Sequence, residues 1–93
     1  MFDVFITGQF KKDYKKVCRR AGFSDEDFEK VVNLLRMREK LPAEYKDHPL
    51  KGNYKDCREL HILFDLLIIN IVDEPAKKIR LVRFGLHSEL QVG

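Results

Sequence analysis

Three histidines stand in the second half of the chain, at His48, His61 and His87, each with charged or aromatic company. His48 lies in Tyr45-Lys46-Asp47-His48-Pro49-Leu50-Lys51-Gly52, His61 closes Arg58-Glu59-Leu60-His61, and His87 follows Arg83-Phe84-Gly85-Leu86. Imidazole gains and loses protons near neutrality, so histidines suit general acid and base work. The stretch from Tyr45 to His61 also carries Lys46, Lys51, Lys55 and Arg58, interleaved with Tyr45 and Tyr54. Cations for phosphates and flat rings for unpaired bases are what a single-stranded RNA needs from its binder.

Other readings use the same residues. Three histidines in a chain this small also fit plain solvent-exposed side chains, and the basic residues of the first half fit a solvated helix face. A metal site built from the three histidines and Asp65 is conceivable, but no helical HxxxH spacing brackets it, and no metal or other cofactor is expected. Along one flat strand His61 and Asp65 would stand roughly 13 Å apart, so they share a site only if the chain turns near Leu63-Phe64. Cys57 as a nucleophile beside His61 is disfavoured, because no oxyanion-hole motif accompanies it and a strand cysteine is usually core.

The elements that must position these groups follow from the pattern. Ninety-three residues make one small domain, 1–93, and an apolar fraction of 44% argues against global disorder. The net charge of +3 permits an anionic partner without requiring one. Cys18 and Cys57 form no CxxC and no zinc-ligand spacing. The first residues lack a basic n-region, and the longest uninterrupted apolar run, Leu66 to Ile69, is too short for a bilayer span. The expectation is a soluble cytoplasmic protein with reduced thiols and no membrane contact.

Met1 to Ile6 reads as a short strand and Thr7 as a helix cap. Phe10, Tyr14, Val17 and Cys18 make one stripe of a helix over Gln9 to Arg20, ended by Gly22. Ser24 followed by three acids starts a second helix, with Phe28, Val31, Val32 and Leu35 on its apolar side, fading near Glu39 or Lys40. Pro42 to Tyr54 reads as loop. Strands follow at Asp56–Ile62, Leu66–Val72 and Lys78–Phe84, with a turn at Asp73–Lys77 and Gly85 breaking the last strand. On the first of these, Cys57, Glu59 and His61 share one face and Arg58, Leu60 and Ile62 the other. The order β-α-α-β-β-β predicts an α+β domain: two antiparallel N-terminal helices on one face of a small twisted antiparallel sheet, the other face left free to bind.

The motifs resemble a known family. The KDHPLKG loop from Lys46 to Gly52, then Arg58-Glu59-Leu60-His61 and Asp65, then Arg83-Phe84-Gly85-Leu86-His87-Ser88-Glu89-Leu90 are similar to the YafQ branch of the RelE toxin superfamily, along the whole chain. These are toxins of bacterial type II toxin–antitoxin modules, with a RelE-like fold of two helices on a twisted antiparallel sheet. The resemblance implies a metal-independent endoribonuclease that cleaves mRNA in the A site of the 70S ribosome. The RNA's own 2′-hydroxyl attacks, leaving a cyclic or opened 3′-phosphate. It implies His48, His61, Asp65 and His87 as the catalytic set, with His48 as base, His87 as acid and Asp65 steadying a histidine. It implies Arg83 on the phosphate, and Lys46, Lys51, Lys55 and Arg58 on messenger or 16S ribosomal RNA. The implied partners are a cognate antitoxin, mRNA and the ribosome, with DNA reached only through the antitoxin complex.

Leu66, Asn70 and Gln91 stand where the family often has aromatics, and Phe84 is the candidate to stack on a base in their place. The alternatives are a non-enzymatic inhibitor like the ParE toxins that poison gyrase, and a decayed toxin that only binds its antitoxin.

Overall fold

The computed structural model describes residues 1–21, 23–37, 41–63 and 66–90. Gly22, Asp65 and Gln91, and with them the helix stop, a catalytic candidate and a tail position, lie outside the described residues.

Helix α1 spans Gly8–Ala21 and α2 spans Asp25–Arg36. Thr7 caps the first, its Oγ1 accepting from the Phe10 N–H at 3.1 Å. Ser24 caps the second through a full capping box: its hydroxyl accepts from the Asp27 N–H while Asp27 accepts from the Ser24 N–H. That α2 stops at Arg36, with Met37 as its cap, is earlier than the apolar pattern predicts; residues 38–40 lie outside the described set.

Five strands form one sheet in the order β1-β5-β4-β3-β2. They are β1 (Asp3–Ile6), β2 (His48–Pro49), β3 (Arg58–Leu63), β4 (Leu66–Asp73) and β5 (Lys78–Leu86). From β2 to β5 every pairing is antiparallel, as the meander of strands predicts. Strand β1 joins the far edge parallel to β5, Asp3 opposite Lys78 and Ile6 opposite Leu81, which makes the sheet mixed. Pro49 sits in the outermost strand, where its missing N–H breaks no central ladder. Gly85 does not end β5. It pairs with Leu67 inside the strand, and the single turn α3 (His87–Leu90) folds back so that Leu90 Cδ2 lies 3.4 Å from where a Gly85 Cβ would be.

The main core lies between sheet and helices, with Phe10, Leu35, Leu60, Ile68, Ile79 and Leu81 at 1% exposure or less. Phe84 belongs to it, 5.3 Å from both Phe10 and Phe23, ring centroid to ring centroid. At 2% exposure Phe84 cannot present a ring to a base, which corrects its candidacy for stacking. Leu66 and Asn70 are also buried, so those departures from the family pattern face the protein interior.

The second face of the sheet is not bare, contrary to the expectation from the element order. Leu67, Ile69 and Cys57 form a smaller core there, roofed by Leu50 and Tyr54 from the loop before β3 and by Leu90 from α3. Burying that apolar middle leaves the margins of this face, the β2–β3 edge among them, for polar chemistry. Among the described residues no helix is long and apolar enough to cross a membrane.

Candidate active site

The site grows from the pairing of the shortest strand. His48 stands directly opposite Glu59, and Pro49 opposite Arg58. Directly opposed residues of an antiparallel pair point to the same face with Cβ atoms about 5 Å apart. His61, two residues after Glu59 on β3, points the same way. The result is a carboxylate beneath two imidazoles. Glu59 Oε2 lies 2.8 Å from His48 Nε2 and 3.6 Å from His61 Nε2, and the two rings are 5.9 Å apart. The Glu59 side chain is only 5% exposed, against 46% for His48 and 26% for His61.

The loop ahead of β2 sets the ring of His48. Ala43–Tyr45 form a 3-10 turn, and Lys46 leaves it in the left-handed conformation at φ 47°. The Lys46 carbonyl then lies 2.6 Å from His48 Nδ1. A carbonyl only accepts, so that nitrogen carries a proton. Nε2 in turn faces the Glu59 carboxylate. Arg58, pointing to the opposite side of β3, grips Asp47 with two bonds (Nε to Oδ1 3.0 Å, Nη2 to Oδ2 3.3 Å) and anchors the loop. A guanidinium fork on a carboxylate fixes both distance and orientation. Arg58, a candidate RNA contact from sequence, is therefore engaged within the protein.

A second row of geometry reaches across the sheet. Glu59 pairs with Ile69, and Ile69 with Arg83. His48, Glu59 and Arg83 thus lie on one line perpendicular to the strands, with Arg83 two strand spacings, about 10 Å, from Glu59. Arg83 is held by Asp13 of α1, Nε to Oδ2 at 2.8 Å, and its side chain is 30% exposed. His87 opens α3 at the end of β5, exposed and without a hydrogen bond or ion pair among the described residues. Lys46, Lys51 and Lys55 are exposed on the loop. Cys57 is buried, and burial pushes its thiol up, away from the thiolate a nucleophile needs.

Two residues went unread in the sequence. The strand alternation puts Glu59 on the histidine face and assigns it no role, although a carboxylate at i−2 of a strand histidine shares its surroundings. Asp13 falls at i+3 from Phe10 and i−4 from Val17, on the apolar stripe of α1, and an acid there signals a buried partner.

The donor set of His48, Glu59 and His61 also fits a metal ion. One ligand atom from each lies within 4.8 Å of the others, and Glu59 Oε1 is buried without a hydrogen-bond partner. Two imidazoles and a carboxylate suit a divalent ion of the zinc or copper type.

Comparison with known proteins agrees with the motifs. The family of bacterial toxins of type II toxin–antitoxin systems, YafQ, matches residues 2–92. The mRNA interferase toxin YafQ of Escherichia coli K12 is 36% identical over 89 residues, 95% of this chain and 94% of that one. A metal-bound toxin from Helicobacter pylori superposes with a TM-score of 0.83 at 40% identity, covering 97% of this chain and 99% of that one. A chain of the Escherichia coli DinJ-YafQ complex does so with 0.79 at 34% identity, covering 97% and 98%. With its motifs, its fold and nearly its full length in agreement, this chain belongs to the YafQ family of bacterial type II toxin–antitoxin toxins.

Proposed function

We propose that the chain is an mRNA interferase: a single-domain toxin that cuts mRNA in the ribosomal A site and so stops translation in the cytoplasm. The observation that carries this reading is the buried Glu59 carboxylate beneath His48 and His61, in a family whose Escherichia coli relative is named an mRNA interferase. Attack by a 2′-hydroxyl needs a group to take its proton and another to protonate the leaving 5′-oxygen, each contributing typically 10²–10⁴-fold.

In this reading the His48–Glu59 pair is the base as a unit. A proton accepted by an imidazole creates a cation, and the adjacent buried carboxylate offsets its charge. His61 borders the same carboxylate. His87, unengaged at the end of β5, is the acid, and Asp65 supports a histidine. Arg83 neutralises charge on the phosphorus, and Lys46, Lys51 and Lys55 hold messenger or ribosomal RNA, with Arg58 acting through the loop it anchors. A divalent ion bound by His48, Glu59 and His61 would supply Lewis acidity toward a phosphate oxygen, but the acid–base route uses the chain's own groups and is metal-independent. The partner is an antitoxin, as in the DinJ-YafQ complex, with DNA reached only through it.

The test is mapping of RNA ends after mixing the purified chain with programmed ribosomes. Cuts at a defined position in the A-site codon, absent on free mRNA and undiminished when the protein is stripped with EDTA and desalted before it meets the ribosomes, are expected. Intact message in the presence of a folded protein would remove the proposal.

A further inference from the structure

Strand β5 loses its neighbour partway along. The register with β1 stops at Ile6 opposite Leu81, and Thr7 closes it by donating its N–H to the Leu81 carbonyl. Beyond that point the outward N–H of Phe84 has no strand to meet. Asp13, reaching over from α1 and only 8% exposed, takes its place: its Oδ2 accepts from the Phe84 N–H at 3.0 Å. The same oxygen accepts from Arg83 Nε at 2.8 Å, while Oδ1 accepts from Arg83 Nη2 at 3.4 Å and from Gln9 Nε2 at 3.1 Å. Four donors occupy the two oxygens, so this carboxylate has little capacity left to act as a base. It acts on whatever Arg83 does.

A guanidinium carries five N–H groups in a flat fork. Asp13 uses Nε–H and one hydrogen of Nη2, which fixes one edge and the plane of the fork. The opposite edge, with both hydrogens of Nη1 and one of Nη2, meets no second acid among the described residues. Tyr54 faces the guanidinium from the loop before β3, and the side chain remains 30% exposed. Arg83 also stands in the cross-strand row of His48 and Glu59. A rigid bidentate cation there is matched to a phosphate group, where a freely rotating one would first have to be ordered.

We propose that Asp13 is a positioning residue, which orients the free edge of Arg83 toward the scissile phosphate. This rests on the reading that Arg83 contacts that phosphate. Helix α1, so far a structural cover, then takes part in setting the site. The alternative is that Asp13 only docks α1 and satisfies the Phe84 N–H, and the two separate in a double-mutant cycle.

Single-turnover cleavage on programmed ribosomes is measured for the wild type, Asp13→Asn, Arg83→Gln and the double variant, beside their thermal midpoints. Asp13→Asn is expected to slow the saturated rate by about 10- to 100-fold, the scale of a misplaced catalytic group, with a smaller change in the half-saturating concentration. In the Arg83→Gln background it is expected to slow cleavage no further while still lowering the midpoint. Equal losses in both backgrounds, or an unchanged rate in a folded Asp13→Asn, overturn the proposal. A measurement on the wild type alone covers variants that fail to fold: the Arg83 Nε–H proton resonance should exchange slowly with solvent, and fast exchange overturns the proposal too. A wild type that cuts no RNA would defeat the proposed function. Binding of a 2′-deoxy-substituted RNA oligonucleotide would then decide the role of Asp13, with wild-type and Asp13→Asn affinities that are equal counting against it.

Discussion

Glu59 lies directly across an antiparallel pair from His48, and that register alone brings a buried carboxylate to 2.8 Å from an exposed imidazole. A one-residue slip of β2 would turn His48 to the other face. The two-residue strand is held in register from outside, by Arg58 on Asp47 and by the Leu50 N–H on the Cys57 carbonyl at 2.9 Å.

Replacing Glu59 by Gln keeps the shape and removes the charge that balances a protonated histidine. Cleavage on programmed ribosomes is expected to fall by about 10²- to 10³-fold, with the circular dichroism spectrum unchanged. A rate within twofold of wild type would show that the carboxylate is not part of the chemistry.

Added zinc or copper is expected to inhibit. An ion taken up by His48, Glu59 and His61 occupies the nitrogens that proton transfer needs, and metal binding to such ligands displaces protons. Inhibition should reverse on chelation, and the tight component of metal binding seen by calorimetry should vanish in His61→Ala. Metal binding that survives this change would place the ion elsewhere.

Acid stability should report Asp13. Burial pushes its carboxyl up, but the hydrogen bonds from Arg83, the Phe84 N–H and Gln9 outweigh that and hold it below the ordinary value of 3.8. The unfolded chain takes up this proton at a higher pH than the folded one, so the stabilisation is complete above the unfolded value and disappears as pH falls through the folded one. Asp13→Asn should cost about 1–3 kcal/mol at neutral pH and flatten the loss of stability below pH 3.8. Parallel urea-unfolding curves for the two proteins across that range would contradict this assignment.

Gly85 should tolerate Ala and resist Val. An Ala Cβ meets Leu90 Cδ2 at 3.4 Å and Glu89 Oε1 at 3.5 Å, ordinary contacts with side-chain tips. The extra methyls of Val would press α3 away from the sheet, at a cost of about 1–3 kcal/mol, and carry His87 with it. Thermal midpoints and cleavage rates of the two variants check this; a fully active Gly85→Val would mean that α3 need not sit where it does.

Much of the frame could be read from residue pattern, because it is local. The Ser24 cap, the Phe10 stripe and the alternation that puts Glu59 beside His61 are all set by neighbours in sequence. What escaped reading depends on distant partners. The parallel seat of β1 is decided by β5, and the exclusion of Phe84 from solvent by Phe10 and Phe23. Gly85 reads locally as a strand breaker, whereas its role is the return of Leu90 over the sheet. The histidines were recognised by type and motif. Their linkage through Glu59 needed the register of a strand too short to show any periodicity.

The seat of β1 also bears on when this fold can exist. Asp3 pairs with Lys78, the Thr7 hydroxyl donates to the Val82 carbonyl at 3.2 Å, and Asp13 waits for Arg83, 70 residues on. A nascent chain that has reached only β4 still lacks β5, on which the strand pairing of β1 and the Asp13 ion pair of α1 depend. Such long-range closure is slow relative to local helix formation. An interval therefore follows the synthesis of β5 in which β1 and α1 have yet to close on it, and a partner that binds the open chain would meet it then.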